Sequence, residues 1–558
     1  MFELLHVAEA EELSARAEPC HVRMRDGVRL ATDVYLPDHP SRHPAILVRT
    51  PYDKCSRYTA LKFQADYYTA QGYVFVVQDV RGKFRSEGET VPYYHDVADA
   101  YDTIEWIVAQ PWSNGRVGLT GDSYYGFTAW AGVACGHAAV RAAIPKVTGV
   151  NMGASHVASC WRQEVPNLLG LNDLIQIWTD RRGYLVSLDY AAGHPLELAE
   201  IARSKLGVSS GVEHLKRWAT GNGDWFSPYG ARHPYHTTHV PILHWVSWYD
   251  PGLAPAGMAD WRALRSNPSM RHLHFLRAAS ADHGGFLLED VDGGDSLNPY
   301  LDDAAMHRRL ARETAEEMAF FDVHLKGIAP VLPQARVRWH LGHAGWRESQ
   351  DWGEGSQWQT QTYYLDRRAG GAGSLALTRP VGTGTAAWVH DPANPVTSTS
   401  SIEEAWYFLA AYPDEREQAS RDDVLTFTSE ALTSPADVAG QPVVNLVMET
   451  TAAAGHLFVK LQDVFPDGTT RQVSRGQMVC SGGRSGQVSL RLNDVAYRFG
   501  EGHRIQLQMQ SSDYPHFLVH PGTNENPWLA KTLLRSVQRV VIGGSAAASL
   551  SLPIYAPL

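Results

Sequence analysis

Cysteine is scarce. The 558 residues hold five, Cys20, Cys55, Cys135, Cys160 and Cys480, and no two stand in a C-x-x-C pair. That spacing argues against a zinc ribbon or a thioredoxin-type dithiol. An odd, sparse set is expected of reduced thiols in a cytosol, all five buried as inert small hydrophobes. Basic charge is short as well: 49 Lys+Arg stand against 60 Asp+Glu, a net charge of -11. A nucleic-acid partner needs a basic face, so none is expected. The N-terminus, MFELLHVAEAEELSARAEP, lacks the basic start and apolar core of a secretory leader. No apolar run approaches the ~20 residues that span a bilayer. The longest, 129–136, fits a buried helix. Internal repeats and low-complexity tracts are missing too. A cytoplasmic protein off the membrane is the expectation.

What is present is a long chain of ordinary globular composition, 44% hydrophobic and 20% charged. Its length suits three or four structural units. Strand and helix signals alternate through residues 1–148. Asp26-Gly27 marks a hairpin turn, and YVFVVQD (73–79) reads as a strand buried on both faces. Val97, Tyr101, Ile104, Ile107 and Val108 fall at helical spacing. The rhythm stops over 149–239, where helical stretches mix with Trp161, Trp178, Trp218 and Trp225; this segment reads as an inserted helical cap. It resumes over 240–350 with ILHWVSWY (242–249) and a closing helix over 302–326. From 351 to 558 alternation replaces helical periodicity. Leu457, Val459 and Leu461 share one face, as do Ile505, Leu507 and Met509, and turns such as Pro466-Asp467-Gly468 recur. A β-sandwich or jelly roll is expected there. The fold class is therefore α/β, with an inserted helical cap and a C-terminal β domain.

The sharpest motif is Gly121-Asp122-Ser123-Tyr124-Tyr125-Gly126, between a strand and a helix. This is the setting of a nucleophile elbow, although Tyr125 stands where G-x-S-x-G has its second glycine. The competing reading is a serine N-cap in an ordinary strand–helix turn. A serine hydroxyl needs a base, and α/β hydrolases supply acid and then base after later strands. Asp250 ends one such strand and His283 follows the next. His244, His272 and His274 lie within strands and read as structural. Asp282 emerges too late in the chain to serve as the acid. The oxyanion hole needs two donors. The Tyr124 N–H is one candidate. No HGGG run follows the early strand, which leaves the Tyr52 phenol as the other, against simple packing at a strand end.

Further motifs carry a family resemblance: R-T-P-Y-D-K (49–54), Q-D-V-R-G-K-F-R-S-E-G-E (78–89), W-S-N-G-R-V-G (112–118), W-Y-D (248–250), D-H-G (282–284), D-V-F-P-D-G-T (463–469) and G-H-R-I (502–505). Together with G-D-S-Y-Y-G they run nearly end to end. The chain resembles the CocE/NonD hydrolases, a group that includes cocaine esterase, α-amino acid ester hydrolases and X-Pro dipeptidyl-peptidases. The resemblance implies an α/β-hydrolase fold, a triad of Ser123, Asp250 and His283, and an oxyanion hole of Tyr52 and Tyr124. The Asp79, Arg81, Ser86 and Glu87 cluster reads as a structural brace. Pro251, Gly252 and Leu253 follow Asp250 where the α-amino acid ester hydrolases carry extra carboxylates, which argues against an α-amino ester substrate. The X-Pro peptidases of the group are usually longer, and the plan is nearest the cocaine-esterase type.

The expected reaction is hydrolysis of an ester or amide of a small molecule or short peptide through an acyl-enzyme, with no metal or organic cofactor. Trp161, Trp178 and Trp225 are candidate pocket walls. The rival readings are acyl transfer or cyclisation from the same acyl-enzyme, and a non-catalytic binding protein. A homo-oligomer stays open.

Overall fold

The YVFVVQD run becomes a strand buried at all six of its residues, Val74–Asp79. It is part of a ten-stranded sheet in the computed structural model, which describes residues 2–7, 11–152, 164–178, 183–190, 193–206, 228–289, 302–329, 335–367 and 373–556. The strands are β1 (Glu18–Arg23), β2 (Arg29–Tyr35), β3 (His43–Thr50), β4 (Val74–Asp79), β5 (Ser113–Asp122), β6 (Val140–Lys146), β7 (Ile242–Ser247), β8 (His274–Ala279), β9 (Val337–Leu341) and β10 (Gly345–Ser349). Their order is β10-β9-β8-β7-β6-β5-β3-β4-β2-β1. Pairings from β4 through β9 are parallel; β1/β2, β2/β4 and β9/β10 are antiparallel.

Helices α1 (Leu61–Ala70), α2 (Asp96–Val108), α3 (Ser123–Ala134), α4 (Leu168–Trp178), α5 (Pro195–Leu206), α6 (Leu253–Ser266) and α7 (Asp303–Phe321) accompany this sheet. Every residue of α3 is buried, in keeping with a sequence, SYYGFTAWAGVA, that holds no charged side chain. Helix α2 departs from the sequence expectation. Its buried positions are Asp96, Asp99, Ala100, Thr103, Ile104 and Ile107, and Tyr101 faces outward. Hydrophobicity alone misplaces the face because two acids belong to it. Arg49 Nη1 lies 3.4 Å from Asp96 Oδ1, and Arg81 Nη2 lies 2.6 Å from Asp99 Oδ1. The β6–β7 connection holds α4 and α5 but is not wholly helical. Gly183–Leu188 is a strand, paired antiparallel with Phe2–Val7.

The C-terminal region forms one network of eleven strands, among them β11 (Val443–Val464), β12 (Thr470–Arg491), β13 (Val495–Phe499) and β14 (Arg504–Gln510). Leu457, Val459, Leu461, Ile505, Leu507 and Met509 enter one apolar core, as the alternation implies. The opposite face is buried too, and polar. Lys460 and Gln462 hydrogen-bond to Glu415, and Gln508 to Gln418. The core crosses between the two sheets, since Val246, Trp248 and Tyr249 at the end of β7 pack in it with Leu446, Leu461 and Tyr497. Ser280 Oγ and Gly342 N both donate to Ala496 O, at 3.1 and 3.0 Å.

Of the cysteines, Cys55, Cys135 and Cys480 are buried, whereas Cys20 is only half-buried; Cys160 lies outside the described residues. Burial pushes the Cys55 and Cys480 thiols up to about 12, so both stay protonated and inert. Among the described residues no helix is long and apolar enough to cross a membrane.

Candidate active site

Four strand ends converge at the carboxyl edge of the parallel sheet, where open α/β sheets hold their ligands. Tyr52 follows β3, Ser123 follows β5, Asp250 follows β7 and His283 follows β8.

The Ser123 turn is strained. Its φ is +56°, a region costly for a residue with a side chain, and it is only 8% exposed. Strand and helix meet there with no spacer, so the backbone must pass close to itself. At Gly121 a Cβ would lie 2.4 Å from Tyr125 O. At Gly126 it would lie 2.8 Å from both Gly121 O and Lys146 O. The second glycine is thus required one residue later than in G-x-S-x-G, because position 126 touches Gly121 and β6. Tyr125 instead turns its phenol back to donate to Asp122 Oδ2 at 3.1 Å. Asp122 is held by Lys146, whose Nζ lies 2.9 Å away and also 2.8 Å from Glu317.

His283 and Asp250 are in contact. Nδ1 lies 2.6 Å from Asp250 Oδ2, so the ring N–H donates to the carboxylate and Nε2 is left for another partner. Asp250 is 1% exposed, and its Oδ1 accepts from Leu253 N at 3.1 Å and Gly252 N at 3.4 Å. The His283 ring also packs on Trp406, centroids 4.9 Å apart. Asp282 serves elsewhere. Its two oxygens accept from Phe286 N and Leu409 N, holding the His283 loop to the β domain. Gly284 admits the Tyr407 ring, which a Cβ would meet at 2.6 Å. His244 and His274 are buried and face each other at 3.0 Å, consistent with the structural reading.

The Tyr52 hydroxyl is hydrogen-bonded to Ser123. Burial, reinforced by Asp173, Tyr58 and Tyr93, raises its phenol well above the ordinary value, so it remains a neutral donor. Its loop is braced from several sides. Tyr52 N donates to Thr50 Oγ1, Lys54 N to Asp79 Oδ1 at 2.8 Å, and Lys54 Nζ to Asp33 Oδ2 at 2.6 Å. Ser86 Oγ donates to Asp79 O at 2.6 Å and accepts from Ala31 N, while Glu87 pairs with Arg29 at the exposed rim. The N-terminal segment also takes part, with Glu11 N donating to Asp53 Oδ2 at 2.8 Å. Nothing in the acidic start of the chain announced that role. The Tyr124 phenol donates to Asp96 and accepts from Tyr93 N, which anchors the first turn of α3. The Tyr124 N–H belongs to that first turn, whose amides have no partner within the helix.

Sequence reasoning missed Asp173 on α4. It acts electrostatically on Tyr52, Tyr93 and His283. Burial raises its carboxyl to about 7, with His283 opposing and Asp250 adding. The one available signal was an acid inside the otherwise apolar stretch LLGLNDLIQIW. Burial alone would lower His283, but Asp250, Asp173 and Asp122 outweigh it and leave the imidazole raised. Trp161 and Trp225 lie outside the described residues, and Trp178 is the last residue of α4. No metal-binding cluster occurs among the described residues.

A parallel sheet in this order, with a strained serine after β5 and a histidine–aspartate pair after β7 and β8, is that of an α/β hydrolase carrying a C-terminal β domain. The family model for X-Pro dipeptidyl-peptidase (S15 family) matches residues 26–283, and that for the X-Pro dipeptidyl-peptidase C-terminal non-catalytic domain matches 330–550. Cocaine esterase of Rhodococcus sp. is 29% identical over 545 residues, covering 89% of this chain and 90% of that protein. The two halves of the chain thus match the catalytic and C-terminal domains of the S15 family, and over most of its length it is similar to a serine-hydrolase-type esterase. Two solved structures share the fold at 23% identity. One is an α-amino acid ester hydrolase (TM-score 0.77, 98% of each chain) and the other an aminopeptidase from a marine sediment Thaumarchaeota archaeon (TM-score 0.76, 97% of each chain).

Proposed function

We propose that the protein hydrolyses an ester or amide of a small molecule or short peptide through an acyl-enzyme on Ser123. The observation that carries this reading is the 2.6 Å His283–Asp250 contact at the sheet edge that also bears the strained Ser123. In this reading His283 Nε2 takes the Ser123 proton as Oγ attacks the carbonyl carbon. Asp250 stays ionised and stabilises the imidazolium. The Tyr52 hydroxyl and the Tyr124 N–H receive the charge that develops on the carbonyl oxygen, and the positive end of α3 adds to them. Collapse of the tetrahedral intermediate breaks the bond to the leaving alcohol or amine, which takes the proton from His283. Water then gives a proton to His283, attacks the acyl carbon and releases the acid, and Ser123 regains its proton. No step calls on a metal or organic cofactor. Helix α4, which carries Asp173, would border the cleft.

The test is release of p-nitrophenol from acetyl, butyryl and benzoyl esters by the wild type and Ser123→Ala. The expected result is turnover by the wild type and a loss of roughly 10⁴-fold or more in kcat in the variant. A fluorophosphonate probe should label the wild type and leave Ser123→Ala unlabelled. Turnover surviving in Ser123→Ala would overturn the assignment.

A further inference from the structure

We infer that Arg475, a residue of the β domain, is a positioning residue for the acid of the hydrolytic site. This rests on the reading of Ser123, Asp250 and His283 given above.

Arg475 stands on β12 with its side chain 7% exposed. Burying a guanidinium is unfavourable unless its donors are met, so where they go is informative. Nη2 donates to Pro251 O at 3.2 Å. Pro251 is the first residue of the turn whose amides, at Gly252 and Leu253, hold Asp250 Oδ1. Nη1 donates to Asp513 Oδ2 at 3.2 Å and lies 3.3 Å from His516 Nδ1. The guanidinium also rests over the Phe517 ring, 5.1 Å from its centroid. His516 in turn presents its carbonyl to Leu168 N at 2.9 Å and Leu169 N at 3.3 Å, the first residues of α4. One planar fork therefore links the acid-bearing turn with the loop that starts the helix carrying Asp173. Such two-way recognition is what an arginine provides and a lysine does not.

Polar contacts reinforce the packing of this turn. A cavity of about 30 Å³ lies behind it, lined by Asp250, Pro251, Arg475, Lys460, Glu415 and Asp513 among others. Without Arg475 the turn has room to shift, and the Asp250 carboxylate moves with it. The charge matters as well. Asp513, Glu415 and Asp250 face Arg475, with Lys460 and His516 beside them. Asp250, Asp173, Asp122 and Asp282 face His283. Arg475 is a cation that acts on Asp250, the carboxylate that holds His283, and so offsets part of the negative charge the imidazole feels. Removing it eases protonation of His283, so the base is lost at higher pH.

The experiment compares the full-length wild type, Arg475→Met and Arg475→Lys on the p-nitrophenyl ester the wild type cleaves fastest. Rates are expressed per site titrated with the fluorophosphonate, which removes unfolded molecules from the comparison. For Arg475→Met the expected result is a kcat lower by roughly tenfold, KM within about twofold, and an acid limb of the kcat profile moved to higher pH. Arg475→Lys keeps the charge and loses the fork; its limb should match the wild type while kcat falls by about threefold. If Arg475→Met does not fold, Arg475→Lys still carries the test through kcat per labelled site. Wild-type kcat and an unmoved limb in every variant that folds overturn the inference, even if Tm falls, since a purely structural arginine gives that pattern. The two readings separate through Ser123→Ala. If it retains activity, the hydrolase reading fails and Arg475 with it. If it is dead while Arg475→Met matches the wild type, only the Arg475 inference fails.

Discussion

At the residue scale the site combines one neutral donor and one raised base. Tyr52 keeps its proton because burial and nearby Asp173 disfavour the phenolate. Tyr52→Phe removes a single hydroxyl from a packed ring. The expected effect is a loss of about 10²–10³ in kcat with KM little changed, read by steady-state kinetics on p-nitrophenyl esters. In the proposed mechanism His283 works as a base only when neutral. Its affinity for the proton is raised by Asp250, Asp173 and Asp122 against the opposing effect of burial. Activity should therefore fall as pH drops through a value above the ordinary ~6.5 of histidine. Burial also raises the Asp173 carboxyl to about 7, so protonation of either group bears on the other. Asp173→Asn removes one negative charge from the base. Its kcat/KM profile should show an acid limb at lower pH than the wild type; a limb unchanged or shifted upward would refute that electrostatic role. Asp250, His283 and Ser123 could be named from chain order and motif, because each follows a recognisable apolar strand. Asp173 could not, since its importance comes from which side of a distant cleft α4 covers.

At the element scale the tightest constraint is the passage from β5 to α3. Gly121 and Gly126 are there because backbone atoms of the same turn and of β6 occupy the space where side chains would go. Gly126→Ala brings a methyl to 2.8 Å from two carbonyl oxygens that cannot move far. The expected cost is about 1–3 kcal/mol of stability, seen as an earlier denaturation midpoint together with lost fluorophosphonate labelling. The alternating β and α signals of the first half mapped onto strands and helices with bounds close to those read from the sequence. Helix α2 was rotated because its buried acids answer Arg49 and Arg81, partners that a one-dimensional hydrophobic pattern does not contain. The same holds for β11 and β14. Their apolar residues were placed correctly, but Lys460, Gln462 and Gln508 on the other face are buried in a polar layer rather than solvated.

At the scale of the whole molecule the two sheets share one core. Trp248 and Tyr249, immediately before Asp250, pack with β-domain residues. Arg262 and Trp352 both bond to Asp494. A chain ending at residue 350 would expose that apolar surface. Residues 1–350 expressed alone should be insoluble or unlabelled by the fluorophosphonate, whereas the full chain labels; a soluble, labelling fragment would show that the β domain is dispensable. The shared core also sets a timetable. A ribosome finishes the serine, the acid and the base by residue 283, yet the surfaces that back the acid turn are made only later. On the proposed mechanism, the growing chain therefore carries a complete set of reactive groups without a working site, and hydrolytic competence arrives late in synthesis, with the domain that contributes none of those three groups.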